Sequence, residues 1–273
     1  MSSRPHRQLP ARPRPRPRRG RARARAAHES RRRRSVSSVM PVCAHPSIVG
    51  RPAEDLVTAS TTSGVTAIVL CGGRSSRMGR DKAAIEFGGS TLLQRTVTAA
   101  AEVAAEIVLV RAPGQTLPAV TAACPIVIVD DTIEGQGPLH GIATGLEVAH
   151  GARCLVVAVD MPFLQPLLLR LLLDRLDAGI EGGTRWVVPI SDGRPQSLCS
   201  AIARDALPVL RAHFEAGDRA PMTAAADLSL VRLEEDVWRT TDPAALSFVD
   251  VDTPEALEAA RALSDKPGGP PSL

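Results

Sequence analysis

Val65-Thr66-Ala67-Ile68-Val69-Leu70-Cys71-Gly72-Gly73-Arg74-Ser75-Ser76-Arg77-Met78-Gly79-Arg80-Asp81-Lys82 begins as an apolar strand and then changes character. Glycines, serines and cations take over from the aliphatic run. Glycines let successive backbone N–H groups point into one concavity, and cations neutralise an anion held there. The segment therefore reads as a phosphate cradle at the end of a strand. It is not GxxxxGK[ST], because Ala83 follows Lys82, and it is not GxGxxG. Lys82 carries further weight from composition, since the chain has 33 basic residues and only Lys82 and Lys266 are lysines. A compact ammonium on a flexible stem differs from a planar guanidinium fork, so Lys82 reads as a small cation fitted to a tight place. The alternative is drift, which is how Lys266 in its Pro/Gly-rich surroundings reads.

Beyond this segment, strand-like and helix-like stretches alternate, which predicts an α/β layered domain with a mostly parallel sheet. Strands are expected at Thr66–Leu70, Glu106–Val110, Pro125–Val129, Cys154–Val159, Arg185–Ile190, Leu198–Ala203, Ser229–Leu233 and Leu246–Val251. Ser90 and Thr91 can cap a helix through Leu92 to Ala105, and Gly137-Pro138 opens another through Ile142 to Ala149. Further helices are expected at Pro166–Ala178, Ala203–His213 and Pro254–Leu263, the last capped by Thr253. In open parallel sheets, ligands bind beyond the carboxyl ends of the strands. The glycine segment follows Leu70, Asp130-Asp131 follow Val129, and Asp160 follows Val159, so the chemistry-bearing residues gather at one sheet edge.

Each of these residues has a plainer reading. Asp160 could cap the next helix; opposite a phosphate cradle it is placed as an oxygen ligand for Mg²⁺, which takes one or two carboxylates plus phosphate oxygens. Asp130 and Asp131 could be turn residues. Gly135-Gln136-Gly137-Pro138-Leu139-His140-Gly141 reads as a turn feeding a helix N-terminus, where N–H groups favour anions, and His140 as a solvent-facing or hydrogen-bonded histidine. Trp186 and Trp238 read as packing residues. Arg219 either meets an anionic second substrate or is solvated. Asp250 and Asp252, at the end of the last expected strand, either enter a helix or reach the site. No Ser/His/Asp order, HExxH helix or Cys/His grid stands out. The reaction this pattern implies is phosphoryl or nucleotidyl transfer, which needs positioning and charge neutralisation more than a covalent residue.

The charge balance divides the chain. Residues 1–39 hold 14 Arg and one acid, a net of +13; the remainder has 19 basic and 28 acidic residues, a net of −9. The basic pI describes a tail and not a nucleic-acid-binding surface of the folded part. Residues 1–62 alternate Arg with Pro and Ala and then turn Ser/Thr-rich, a composition expected to stay disordered and dispensable. Other readings are a nucleic-acid or membrane-surface arm, an export signal near Arg33-Arg34-Ser35, or a native start downstream near Met40. Against export, Val36 to Gly50 contain no apolar h-region. One domain from about 63 to 265 and a flexible tail over 266–273 are expected. The five cysteines, Cys43, Cys71, Cys124, Cys154 and Cys199, form no CxxC pair and read as reduced thiols of a cytosolic protein. No apolar run reaches membrane-spanning length.

Four stretches stand together in a recognisable order: Leu70-Cys71-Gly72-Gly73 through Ser76-Arg77-Met78-Gly79-Arg80-Asp81-Lys82; Gly137-Pro138-Leu139-His140-Gly141; Val159-Asp160-Met161-Pro162-Phe163-Leu164; and Phe248-Val249-Asp250-Val251-Asp252-Thr253-Pro254. Over about residues 64–263 the chain resembles the molybdenum cofactor guanylyltransferases, which join GMP from GTP to molybdopterin and release pyrophosphate. The resemblance implies a Rossmann-like three-layer nucleotidyltransferase fold with a mostly parallel, mixed central sheet, Mg²⁺, a cytoplasmic setting and transient contact with molybdoenzyme maturation proteins. It implies GTP contacts at Leu70, Cys71, Gly72, Gly73, Lys82, Arg111, Asp130 and Asp160, with Lys82 on the phosphates and Asp160 on Mg²⁺; the reading of the loop adds Arg77 beside Lys82 on the leaving pyrophosphate. It implies second-substrate contacts at Asp250 and Asp252, to which the reading of the residues adds Arg219. The chain departs from the pattern at Arg111, where Asn is usual, at Cys71 for Ala, and at Asp250 and Asp252 for Asn. Gly72, where related cytidylyltransferases carry Ala, fits the guanylyl version; a glycine there leaves room for a base with an exocyclic amine. A cytidylyltransferase, a sugar-phosphate nucleotidyltransferase and a nucleic-acid-binding adaptor using the Arg-rich tail are the competing readings.

Overall fold

The structure, a computed structural model, describes residues 64–72, 81–131 and 137–265. The expectations for residues 1–62 and 266–273, and for Gly73, Arg77 and Gly135-Gln136, lie outside the described residues.

β1 (Val65–Leu70) is buried along its whole length. Its side chains divide by the two-residue period of a strand. Val65, Ala67 and Val69 face one core with Leu93, Val97, Leu168, Leu172 and Trp238. Ile68 and Leu70 face the other with Leu139, Ile142, Leu146 and Trp186. A strand apolar on both faces has to lie inside a sheet covered on both sides. The helices supply the cover: α1 (Leu92–Ala101) and α3 (Pro166–Ile180) on the first face, α2 (Pro138–Val148) and α4 (Leu207–Glu215) on the second. The result is the expected three layers. The Leu-rich run in α3 is accounted for by this packing, with Leu168, Leu169, Leu172 and Leu176 fully buried. Among the described residues, no helix is long and apolar enough to cross a membrane.

After a two-strand hairpin, β2 (Glu86–Phe87) and β3 (Ser90–Thr91), the sheet continues with β4 (Glu106–Arg111), β5 (Ile126–Asp130), β6 (Arg153–Ala158), β7 (Trp186–Ser191), the short β8 (Arg194–Pro195), β9 (Cys199–Ala203) and β10 (Leu230–Leu233). The order across the sheet is β10-β7-β9-β6-β1-β4-β5, with β8 paired to β7. β9 runs antiparallel to both neighbours while β1, β4, β5 and β6 are mutually parallel, so the sheet is mixed and mostly parallel as expected. From β1 the chain moves outward to β4 and β5, then returns to β6 on the other side of β1. That reversal is the switch point where a crevice opens beyond the strand ends. The register aligns those ends: Leu70 lies opposite Ala158 and Val110, and Arg111 opposite Asp130.

Two expectations are corrected. Leu246–Val251 is not a strand: the Asp242 carboxylate accepts from the Leu246 and Ser247 amides, and Ala245 adopts φ 55°, which turns the chain into a 3-10 helix at Leu246–Phe248. Asp250 and Asp252 therefore sit in an irregular segment before α6 (Pro254–Ser264) and not at a strand end. The helix expected at Ala203–His213 begins later, because β9 holds Ala203 and a 3-10 turn spans Arg204–Ala206. A four-residue helix, α5 (Glu235–Trp238), precedes α6. Thr91 and Thr253 cap α1 and α6 as anticipated, accepting from Gln94 N at 3.1 Å and Ala256 N at 3.2 Å. Trp186 and Trp238 are fully buried, the former donating to Ser200 Oγ at 3.1 Å and the latter to Ile190 O at 2.8 Å.

Candidate active site

At the switch point, Cys71 leaves β1 with its amide on Val110 O at 2.8 Å, and the Gly72 amide shares that carbonyl at 3.3 Å. Both residues are thus carried against β4. On the other side of β1, Val159 N donates to Leu70 O at 3.2 Å, which brings Asp160 level with the exit of the glycine segment. The turn bearing Asp160 is held from several directions. Thr96 Oγ1 reaches Val159 O at 3.4 Å, the buried Arg95 Nε donates to Pro162 O at 2.9 Å, and Val251 N donates to Asp160 O at 3.0 Å. Phe163 packs edge-to-face on Phe87 at 5.4 Å, under the same turn. A carboxylate on so fixed a backbone is positioned before any ligand arrives.

Lys82 is the centre of the cluster. It starts the 3-10 helix Lys82–Ala84, whose N-cap Asp81 accepts from Ala83 N at 2.9 Å. Its Nζ donates to Asp160 Oδ2 at 2.8 Å and also to Asp252 Oδ1. Burial pulls the ammonium pKa down, but the two carboxylates outweigh it and hold Lys82 above its ordinary value. Asp160 moves the other way from most paired acids: burial raises it, with Asp252 and Asp250 adding to that, and Lys82 only partly offsets the effect. Among the described residues, Asp160, Asp252 and Asp250 thus gather near the Lys82 ammonium. A compact ammonium here meets two carboxylates from different segments at one point, a geometry that differs from the planar fork of a guanidinium.

The expected second-substrate residues separate. Asp252 sits on Lys82 beside Asp160, and Asp250 is near enough to act on Asp160 electrostatically. Arg219, in the segment after α4, packs against the start of α2, its carbonyl accepting from Leu139 N at 3.2 Å and its guanidinium stacked on Phe214 at 4.5 Å. Gly137, at φ 79°, leaves room for that carbonyl, which a Cβ there would approach to 2.8 Å. Phe214 in turn packs on His140 at 4.4 Å, and the His140 ring is hydrogen-bonded to Asp131. Arg111 and Asp130 pair with one another, Nε to Oδ1 at 2.6 Å, across the neighbouring ends of β4 and β5. Leu70 and Cys71 are buried where β1 ends, and burial pushes the Cys71 thiol up, as befits a packing residue.

Gly72 has a reason inside the chain. A Cβ there would lie 2.8 Å from Ala112 N and 3.3 Å from the Arg111 carbonyl carbon. The space a side chain would take is filled by the backbone after β4, so Gly72 is demanded by the fold whatever base binds. Gln115 escaped the sequence reading. It ends an Ala112-Pro113-Gly114-Gln115 turn, closed by Gln115 N on Ala112 O at 3.0 Å with Gly114 at φ 73°. Pro and Gly at the two central positions are the signature of a type II turn, so the turn was legible even though its target was not.

Asp160 and Asp252 share the Lys82 ammonium, which shows that the seat accepts positive charge. No group of three His, Cys, Asp or Glu side chains is set to hold a metal among the described residues. Two carboxylates completed by phosphate oxygens and water is what Mg²⁺ accepts, so the donor set fits that ion.

The MobA-like NTP transferase domain matches residues 67–231. A probable molybdenum cofactor guanylyltransferase of Chloroflexus aggregans (strain MD-66 / DSM 9485) is 30% identical over 204 residues, covering 72% of this chain and 94% of the relative. Another of that name from Mycolicibacterium paratuberculosis is 43% identical over 143 residues, half of this chain and 68% of the relative. Molybdopterin-guanine dinucleotide biosynthesis protein A of Archaeoglobus fulgidus superposes with a TM-score of 0.57 at 23% identity over 72% of this chain and 97% of that one. The 2-C-methyl-D-erythritol 4-phosphate cytidylyltransferase of Thermus thermophilus gives 0.52 at 20%, covering 73% and 98%. These two structures show a shared fold. With the matched domain, the switch-point crevice and the Lys82–Asp160 pair in place, the chain belongs to the MobA-like NTP transferase family and is a nucleotidyltransferase.

Proposed function

We propose that this site transfers GMP from GTP to molybdopterin, forming the guanine dinucleotide and releasing pyrophosphate. The observation that carries the reading is the Lys82 ammonium held between Asp160 and Asp252 at the crevice of the β1/β6 switch point. The names of the full-length relatives support the choice of guanylyl transfer. Leu70, Cys71, Gly72, Gly73, Arg111 and Asp130 form the nucleotide side, and Arg219, Asp250 and Asp252 the side of the second substrate. Asp160, with Asp252 beside it, would hold Mg²⁺, which when bound neutralises charge on the triphosphate.

Lys82 turns from its carboxylates onto the β/γ phosphates, joined by Arg77. A phosphate oxygen of molybdopterin forms a bond to the α-phosphorus, and the bond from that phosphorus to the α–β bridging oxygen breaks. Pyrophosphate leaves with the electron pair. The attacking phosphate is already ionised near neutral pH, so no general base is required. The chain's own contribution is a preset array of charge around the leaving group. A cytoplasmic setting goes with this reading.

Thermal unfolding with Mg²⁺ and each nucleoside triphosphate tests it. At about 100 times its Kd, GTP should raise Tm by roughly 5 °C or more. CTP giving the larger shift would favour the cytidylyl alternative and overturn guanylyl specificity. Lys82→Ala should lower kcat/KM on the order of 10²-fold or more, and Asp160→Asn should abolish Mg²⁺-dependent pyrophosphate release. Near-normal turnover in either variant removes the mechanism.

A further inference from the structure

Gln115 stands on the loop after β4 and spends every hydrogen-bonding group of its amide on the chain around the nucleotide site. Its Nε2 donates to Cys71 O at 3.1 Å and to Asp81 Oδ2 at 2.8 Å, and its Oε1 accepts from Ala112 N at 2.9 Å. Cys71 and Asp81 flank residues 72–80 in sequence, so a single half-buried side chain ties the residue entering the glycine segment to the residue leaving it. Asp81 is at the same time the N-cap that sets the turn of Lys82, one oxygen on Ala83 N and the other on Gln115. The backbone of Gln115 is fastened in its turn, its carbonyl accepting from Arg111 Nη1 at 3.0 Å while Arg111 Nε binds Asp130 at 2.6 Å.

The geometry points to Gln115 as a positioning residue for nucleotide binding: it clasps the two ends of the glycine segment and, through Asp81, sets the seat from which Lys82 meets the phosphates. The Arg111–Asp130 pair buttresses this clasp from β4 and β5. The arrangement gives Arg111, which departs from the Asn usual at that position, a task within the chain. The inference rests on the reading that this segment receives the triphosphate of GTP.

Calorimetric titration of GTP in the presence of Mg²⁺ tests it on the full chain, with thermal unfolding of each variant confirming the fold. Gln115→Ala should weaken binding on the order of 10-fold or more, the size expected when hydrogen bonds to a charged partner are lost. Gln115→Glu keeps the size and the packing but sets an acceptor against the Cys71 carbonyl and the Asp81 carboxylate. It should weaken binding at least as much. In turnover, KM for GTP should rise in both variants while KM for molybdopterin holds, a division that general loosening would not produce. If Gln115→Glu binds GTP as the wild type does, or both variants stay within about twofold of it, the clasp is overturned. A wild-type chain that takes no GTP overturns the functional reading beneath it, and the two failures are thereby told apart.

Discussion

A methyl group on Gly72 would meet the Ala112 amide nitrogen at 2.8 Å, a distance that backbone cannot relieve cheaply. Gly72→Ala should therefore weaken binding of GTP and CTP alike and lower Tm, as read by thermal unfolding with and without nucleotide. A clean switch toward CTP with Tm unchanged would show that the base, and not Ala112, dictates the glycine. At Lys82, Arg keeps the charge but not the shape; Lys82→Arg should cost about 10-fold or more in kcat/KM, and full activity in that variant would remove the argument for a compact ammonium. Residues at this scale were legible where their chemistry is local. Lys82 and Asp160 stood out by type and by position after apolar strands. Asp252 was legible as an acid but not as the partner of Lys82, since 170 positions separate them in sequence. Gln115 showed nothing in its own type, because its partners Cys71 and Asp81 lie 44 and 34 residues away.

Elements were legible where apolar periodicity is strong, as in β1, β6 and α3, and misread where a side chain captures the backbone. The Asp242 carboxylate did so at Leu246 and Ser247, turning an apolar run into a 3-10 helix. The antiparallel direction of β9 was not legible, since a buried run such as Cys199–Ala203 reads the same either way. On α4, His213 meets Asp218 through Nδ1 at 2.7 Å and Asp227 through Nε2 at 2.8 Å, so both ring nitrogens face acceptors. Hydrogen bonds to Asp218 and Asp227 raise its pKa above the usual value. A raised folded-state value stabilises fully below the unfolded pKa of about 6.5, and that contribution is lost as pH rises through the folded value. The urea midpoint of the wild type should exceed that of His213→Ala at about pH 6, with the gap narrowing toward about pH 9. A gap that holds constant across that range means the interaction does not depend on the imidazolium.

Across the whole molecule, charge and function divide. Residues 1–39 carry a net of +13, whereas the remainder, which includes the matched transferase domain at 67–231, carries −9. A chain lacking residues 1–62 should keep its nucleotide preference and its Mg²⁺-dependent thermal shift. Loss of both on deletion, together with salt-sensitive RNA or DNA binding by the intact chain, would favour the adaptor reading. The three-layer architecture was legible because strand and helix signals alternate; the order of strands was not, because pairing is decided by tertiary neighbours. The tie from Val251 N to Asp160 O has a temporal meaning. During synthesis from the N-terminus, β1, Lys82 and Asp160 leave the ribosome well before Asp252, so the two acids that share the ammonium are made far apart in time. The second acid arrives only after the whole sheet has been made, so the seat of Lys82 is completed once translation has run past the last strand.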